Sequence, residues 1–190
     1  MAWNNPSETV IGGTGEVYAA AVGTELPAGP STALNASFVG LGYHTEDGVS
    51  LNQTPNVVEH SVWQSRYPIR RQLDTFDFQI TFSLVQFNEE TVKLAFGGGT
   101  ISAVSGGYKY LPPQAGDSLD ERSLVVDIDD GSERTRIVVP RGSVTEAVDV
   151  SYSRGALGAM PITFKALQPA DGSAAWYPLF SDSTAFAAGS

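Results

Sequence analysis

The chain of 190 residues contains no cysteine. Disulfide bonds and thiolate metal sites are therefore excluded, and stability must come from packing, hydrogen bonding or assembly. The only histidines are His44 and His60, so a zinc site would need carboxylates beside them. No apolar run reaches the roughly 20 residues that a membrane-spanning helix needs. We expect no metal, no cofactor and no membrane insertion.

Basic residues are also scarce, because 11 Lys and Arg stand against 21 Asp and Glu, for a formal net charge of −10. None of them precedes Arg66, although six acidic residues do. A protein that grips DNA needs many cations placed against phosphates, so specific DNA binding is excluded as a function class.

The strongest positive signal lies in residues 73–84, where apolar and polar side chains alternate without a break through residues 76–84. This period of two predicts a strand with one face in a core and one face in water. A short helix is predicted directly afterwards, at about residues 88–97, because Asn88 is a good N-cap, two glutamates follow it, and Gly97 begins a glycine run.

Strands and turns account for most of the remaining chain. Candidate strands lie at residues 16–22, 38–43, 57–64, 100–104, 108–111 and 176–180, and the turn-rich segment 43–55 is predicted to be a long loop. The best hairpin turns at Asp130-Gly131, between alternating residues 124–128 and 135–139. The predicted fold is mainly β, a β-sandwich or barrel with one short flanking α-helix and extended loop or arms.

No catalytic pattern emerges from the sequence. The glycine-rich run at residues 12–15 lacks the third glycine of a dinucleotide site, and no Gly-x-Ser-x-Gly motif occurs. The acidic cluster at residues 127–133 lacks a calcium-loop pattern. We therefore expect no enzyme. The three tryptophans and seven tyrosines leave one alternative, a carbohydrate- or receptor-binding β-sandwich of a virion.

Several short motifs occur in an informative order over about residues 17–98. They are Val22-Gly23-Thr24-Glu25-Leu26-Pro27, Leu41-Gly42-Tyr43-His44-Thr45-Glu46-Asp47-Gly48-Val49, Trp63, Tyr67-Pro68-Ile69-Arg70, Phe82-Ser83-Leu84, Asn88-Glu89-Glu90 and Phe96-Gly97-Gly98. In this order the chain resembles the major tail proteins, or tail tube proteins, of long-tailed, siphophage-type bacteriophages, especially of actinobacterial hosts. Gln64 departs from the resemblance, since a glycine is expected after the tryptophan.

The resemblance implies a structural virion protein that is assembled in the host cytoplasm. It implies hexameric rings stacked into a tube, through which double-stranded DNA passes without specific binding during genome delivery. The implied partners are other copies of the chain together with tape-measure, tail-tip and tail-terminator proteins. It further implies a single domain over residues 1–190, with flexible segments at about 1–15 and 181–190 and a long loop at about 43–55.

Three sets of residues are assigned roles as hypotheses. The predicted lumen-facing set is Asp77, Gln79, Thr81 and Ser83. The predicted inter-subunit loop contains Tyr43, His44, Thr45, Glu46, Asp47, Gly48, Val49, Ser50 and Leu51, with Arg66, Arg70 or Arg71 of another copy as its partners. The predicted subunit core contains Trp63, Phe76, Phe78, Ile80, Phe82, Leu84 and Phe96.

Overall fold

The structure is a computed structural model, and it describes residues 9, 12–131, 133–146 and 148–181. The elements of this described part follow in chain order: β1 (Thr14–Ala21), β2 (Val39–Gly40), β3 (His44–His60), β4 (Arg70–Leu84), α1 (Glu89–Ala95), β5 (Thr100–Val104), β6 (Gly107–Leu111), β7 (Glu121–Asp129), β8 (Arg134–Val144), β9 (Met160–Ala166) and β10 (Tyr177–Phe180). The fold is mainly β, as predicted, and resembles a sandwich.

One large antiparallel sheet organises the molecule, in the order β2-β1-β7-β8-β9-β4-β3. Strand β8 pairs with β10 near its start and with β9 near its end. Gly142 permits the second pairing, because a Cβ at this position would lie 2.4 Å from the ring of Phe164. Strands β5 and β6 form a separate two-stranded sheet.

The main core draws on both halves of the large sheet. Leu124 and Val126 of β7, and Ile80 and Phe82 of β4, belong to the same buried cluster, although β7 and β4 are not neighbours in the sheet. The sheet therefore folds over this cluster. Leu94 of α1 packs into the same cluster.

A capping box fixes the start of α1. The Asn88 side chain accepts from the Thr91 backbone N–H at 2.9 Å, and the Thr91 hydroxyl accepts from the Asn88 backbone N–H at 2.8 Å. The two bonds satisfy backbone donors that would otherwise lack partners. The predicted N-cap is therefore confirmed.

A second, smaller cluster lies on the other face of β1, β7 and β8. The connection between β1 and β2 covers Val125 and Val138 there. Arg136 fixes this connection, because its guanidinium donates to the carbonyls of Gly29 at 3.0 Å and Thr32 at 2.6 Å while it pairs with Asp127. Arg136 is 3% exposed, so the pair is held out of water.

The predicted loop at residues 43–55 is wrong. His44 to His60 forms the 17-residue strand β3, which pairs with β4 along nearly its whole length. Threonine, serine and asparagine favour turns in isolation, but here the neighbouring strand satisfies their backbone hydrogen bonds. Of the predicted strand at residues 57–64, residues 57–60 form the far end of β3, and residues 61–64 lie beyond its end. Of the predicted flexible segments, Thr14 and Gly15 lie in β1, and residues 1–8, 10, 11 and 182–190 lie outside the described residues.

Candidate assembly surfaces

The long hairpin of β3 and β4 leaves the body of the subunit halfway along its length. On β4, Phe78 and the alternate residues after it are buried, whereas residues 70–77 are all exposed. On β3, residues 50–60 are likewise exposed. We call residues 50–60 and 70–77 the hairpin arm, and the connection at residues 61–69 the tip. An exposed arm of this length suits contact with another molecule.

The first surface is a polar face shared by β3, β4 and β9. Strand pairing places Asn52 beside Gln79 and Gln79 beside Lys165, and it places Thr81 between Ser50 and Thr163. The members of the polar face are Ser50, Asn52, Thr54, Asn56, Thr75, Asp77, Gln79, Thr81, Ser83, Thr163 and Lys165. All four residues of the predicted lumen-facing set therefore share one face.

The polar face carries little net charge. Asp77 accepts from the Asn56 amide at 3.3 Å, and Lys165 forms an ion pair with Glu146 at 3.0 Å. Hydrogen bonds to Lys165 and Thr163 lower the pKa of Glu146 from its ordinary value, the Lys165 bond contributing most. Hydroxyl and amide groups supply most of the remaining surface.

The second surface is the opposite face of the arm, which is apolar. By pairing and alternation it continues the face that carries Phe78 and Ile80 in the core. Its members are half exposed: Leu51 42%, Val57 47%, Leu73 47% and Phe76 57%, with Pro55 between them. We call these five residues the apolar face. The Glu59–Arg71 ion pair, at 2.7 Å, lies next to it.

The third surface is the tip, which exposes large side chains. Trp63 is 100% exposed, Tyr67 80% and Ile69 63%. The tip is nevertheless ordered by backbone hydrogen bonds, since the Ser65 N–H donates to Val62 at 3.2 Å and the Ile69 N–H donates to His60 at 2.9 Å. Exposed aromatic rings on an ordered loop are typical anchors of a protein interface.

The fourth surface is a groove at the other end of β3. It has a volume of about 1150 Å³ and lies between the start of β3, β1 and the hairpin of β7 and β8. Its acidic lining residues are Glu16, Glu46, Asp47, Asp127 and Asp129. Asp129 pairs with Arg134 at 2.8 Å, and Asp127 pairs with Arg136. Glu46 and Asp47 are exposed and form no ion pair within the described part of the chain.

Two titratable groups in the groove wall are perturbed. The Tyr18 hydroxyl donates to the Glu16 carboxylate, and this bond, together with burial, raises the pKa of Tyr18 to about 12. Burial lowers the pKa of His44, which packs against Phe82 with ring centroids 5.8 Å apart. The buried Nε2 of His44 makes no hydrogen bond to a described residue.

The residues of the predicted inter-subunit loop are therefore distributed differently from expectation. Glu46, Asp47 and Gly48 were expected at the tip of a loop, but they line the groove at the base of the arm. Tyr43, His44, Thr45 and Val49 line it with them, whereas Ser50 and Leu51 begin the arm. The predicted cationic partners of these residues lie at the opposite end of the hairpin, because Arg66, Arg70 and Arg71 are at or beside the tip.

The predicted core set is divided by the structure. Phe78, Ile80, Phe82 and Leu84 lie in the main cluster. The placement of Trp63, Phe76 and Phe96 in the core is wrong, because these side chains are 100%, 57% and 42% exposed. The first two lie beyond the end of the subunit body. Phe96 is the C-cap of α1, and its ring lies 5.7 Å from that of Tyr110.

The sequence reading missed the apolar face and the tip as surfaces. A usable signal was present, because Trp63, Tyr67 and Ile69 stand close to Arg66 and Pro68 between two strand candidates. A compact core rarely accommodates that mixture.

Neither a metal centre nor a membrane span is found in the described part of the chain. No group of three or more His, Asp or Glu residues is arranged to hold a metal ion there. The described helix is too short to cross a bilayer.

A mainly β subunit with an exposed two-faced arm is suited to contact with other subunits. Comparison with known families agrees: the model of the family described as phage tail tube protein matches residues 1–189, and the chain belongs to this family. The family is structural and not enzymatic, as expected. No curated protein matches the sequence. As a phage tail component, the protein is part of the virion.

Proposed function

We propose that the protein polymerises as stacked hexameric rings into the tail tube of a long-tailed, siphophage-type phage, and that the polar face lines the channel through which the genome passes. The amphipathic arm carries this proposal, since its polar face suits a wet channel and its apolar face needs a cover. Tubes of this kind would be built in the host cytoplasm and would meet tape-measure, tail-tip and tail-terminator proteins.

The chemistry of the polar face suits passage of DNA. Positive charges would hold phosphates by releasing counterions, and a face of hydroxyls and amides with Asp77 offers none of that attraction. Its lysine, Lys165, is already paired with Glu146. A duplex can therefore move along such a wall without binding to it.

A neighbouring copy is the proposed cover for the apolar face. Burying the exposed part of one such side chain contributes about 0.5–1.5 kcal/mol, so five of them favour association by several kcal/mol before entropy is counted. Strand β3 also lies at the edge of the sheet, where its outer backbone groups can pair with a second copy.

Electron microscopy of the purified protein over a concentration series tests the assembly. We expect rings about six subunits around and hollow tubes at high concentration. A protein that remains monomeric at every concentration contradicts the proposal.

The channel wall is tested with Gln79→Lys and Thr81→Lys, and Ser173→Lys is the control on an exposed loop. All three variants should form tubes. Only the first two should retain fluorescent duplex DNA at low salt, because they add cations to the polar face. Equal DNA retention by Ser173→Lys would contradict the assignment of the polar face to the channel wall.

A further inference from the structure

The two histidines of the chain lie in opposite surroundings. His60 is exposed at the far end of β3, whereas the ring of His44 is half-buried at its start. On β4 the neighbours of His44 are apolar: its ring meets Phe82 edge-on, with centroids 5.8 Å apart, and its backbone pairs with Leu84. The Nε2 atom of His44 is buried and has no hydrogen-bond partner among the described residues. A buried polar nitrogen without a partner is held at a cost in free energy.

A protonated His44 suits this position less well than a neutral one. Protonation makes both ring nitrogens donors and adds a positive charge to the half-buried ring. The donor at Nε2 would meet no acceptor there. Burial accordingly lowers the pKa of His44 from its ordinary value of 6.5, although the charge of Glu16 acts in the opposite direction. The closed structure therefore holds the neutral ring.

The groove beside His44 offers a charged ring an alternative position, because His44 is part of the groove lining. The other charged or titratable groups of that lining are Glu16 and Tyr18 of β1, Tyr43, Glu46 and Asp47 in or directly before β3, Asp127 and Asp129 of β7, and Arg134 of β8. Within the described part of the chain, Glu16, Glu46 and Asp47 form no ion pair. The cation of the lining, Arg134, is already paired with Asp129. A protonated imidazole that turns outward therefore meets acceptors.

The backbone around His44 can move without the rest of β3. The pairing of β3 with β4 shifts register between His44 and Val49, so that residues 45–48 stand opposite a single residue of β4. Such a bulge interrupts the ladder of hydrogen bonds. Gly42 and Gly48 bound the segment, and both have positive φ, 82° and 68°. The segment can open between these two glycines while the pairing from Val49 onward stays intact.

We propose that His44 is a pH-sensitive switch that opens the start of β3 in acid. In its neutral form the ring packs against Phe82 and holds the segment closed. In its protonated form the ring leaves Phe82 and turns into the groove toward Glu16, and residues 43–48 open locally. This inference goes beyond the proposed tube function and does not depend on it, because the ring and its acceptor belong to one subunit.

The direction of the pH effect follows from the two proton affinities of His44. An opened ring takes up its proton near the ordinary pKa of 6.5, and the closed ring takes it up only at a lower pH. The contribution of the closed form is therefore complete above pH 6.5, and it is lost as the pH falls from that value through the folded pKa. Carboxylates add their own acid sensitivity at lower pH, so variants are compared at equal pH.

Proton NMR of the variant His60→Gln measures the ring directly, because His44 is then the only histidine. The titration midpoint of His44 should lie below that of the same chain unfolded in urea. Adding Glu16→Gln should lower the midpoint further, since the carboxylate that favours the charged ring is lost. Adding Asp171→Asn instead, which removes an acid from an exposed loop, should leave it unchanged. A folded midpoint at or above the unfolded one would overturn the switch.

Amide hydrogen exchange measures the opening itself. At pH 5, residues 43–48 should exchange about tenfold faster in the wild type than in His44→Phe, and at pH 8 the ratio should be close to one. His44→Gln, which also carries no charge but is smaller than phenylalanine, should likewise lack the acid response. His60→Phe is the matched control on the exposed end of β3 and should behave as the wild type does. Circular dichroism confirms that each variant is folded.

The remaining outcomes each contradict a part of the switch. A lowered midpoint with equal exchange in the wild type and His44→Phe would overturn the opening, because the charged ring would then stay in place. An equal increase in acid for the wild type and both His44 variants would assign the opening to carboxylates and overturn the role of His44. The presence or absence of tubes bears only on the proposed function.

Discussion

The proximal and distal halves of the β3–β4 hairpin differ in what covers their apolar face. Both halves are paired strand to strand, and the distal half contains a register shift between Asn56 and Val57. In the proximal half, Ile80 and Phe82 lie under the rest of the sheet and α1. In the distal half, the same face carries Phe76 into solvent. Alternation determines which residues share a face, but what covers that face depends on the whole assembly.

The largest expected contrast is between Phe78→Ala and Phe76→Ala, two residues apart on one face of β4. Phe78 stacks on Trp176 with ring centroids 4.0 Å apart, so its loss should lower the free energy of unfolding by about 3–5 kcal/mol. Phe76→Ala should change that free energy by less than about 1 kcal/mol but abolish tubes. Urea denaturation of dilute protein measures the first effect and electron microscopy the second. Similar costs for both variants would mean that the arm folds back on its own subunit.

The subunit body and the arm can also be compared through an ion pair in each. Arg136→Met removes the partner of Asp127 and the anchor of the β1–β2 connection, and should cost about 2–4 kcal/mol of stability. Arg71→Met removes the exposed pair with Glu59 on the arm and should cost about 0–1 kcal/mol. Thermal unfolding of the two variants should therefore differ by many degrees. Equal melting temperatures would contradict the buried role of Arg136.

A smaller effect is expected from Tyr18 in alkaline solution. Its pKa is raised to about 12 in the folded protein, from the ordinary value of 10.0. The unfolded chain therefore loses this proton first, and the contribution of Tyr18 to stability is complete below pH 10 and is lost between pH 10 and about 12. Urea denaturation at pH 9, 10 and 11 should show a steeper decline for the wild type than for Tyr18→Phe. Identical slopes would show that the bond to Glu16 does not persist in solution.

The smallest effect on the monomer is expected from a pair of adjacent valines on the arm. Val57 and Val58 are 47% and 45% exposed, but Val57 lies on the apolar face and Val58 on the opposite side. Either valine-to-threonine change should alter monomer stability by no more than about 0.5 kcal/mol. Val57→Thr should raise the concentration at which tubes form, and Val58→Thr should raise it much less. Light scattering against concentration measures both, and an equal shift would mean that the apolar face is not the one covered.

Local chemistry made much of the fold predictable. Asn88 begins α1, and Asp130-Gly131 lies in the turn between β7 and β8, with Val126 opposite Ile137 as the alternation requires. The register of the β7–β8 hairpin follows from the two-residue period of its side chains and from its turn residues, and both act over a few residues.

The missed features depend on distant parts of the chain. The sequence of residues 43–55 resembles that of a loop because it has little apolar content, but pairing with β4 makes it a strand. Trp63 resembles a core residue because a large ring is usually buried, but it lies on the tip and is fully exposed. The groove brings Glu16, Glu46 and Asp129 together from three separate regions.

The pairing of β1 with β7 has a consequence for timing. Thr14 lies opposite Asp129, so β1 obtains its longer partner, β7, only after most of the chain has been synthesised, whereas β3 and β4 are neighbours in sequence and can pair early. The tip therefore exists before the groove does. A nascent chain can therefore present its arm before β1 has joined β7, and the groove that these strands line is the last of the four surfaces to form.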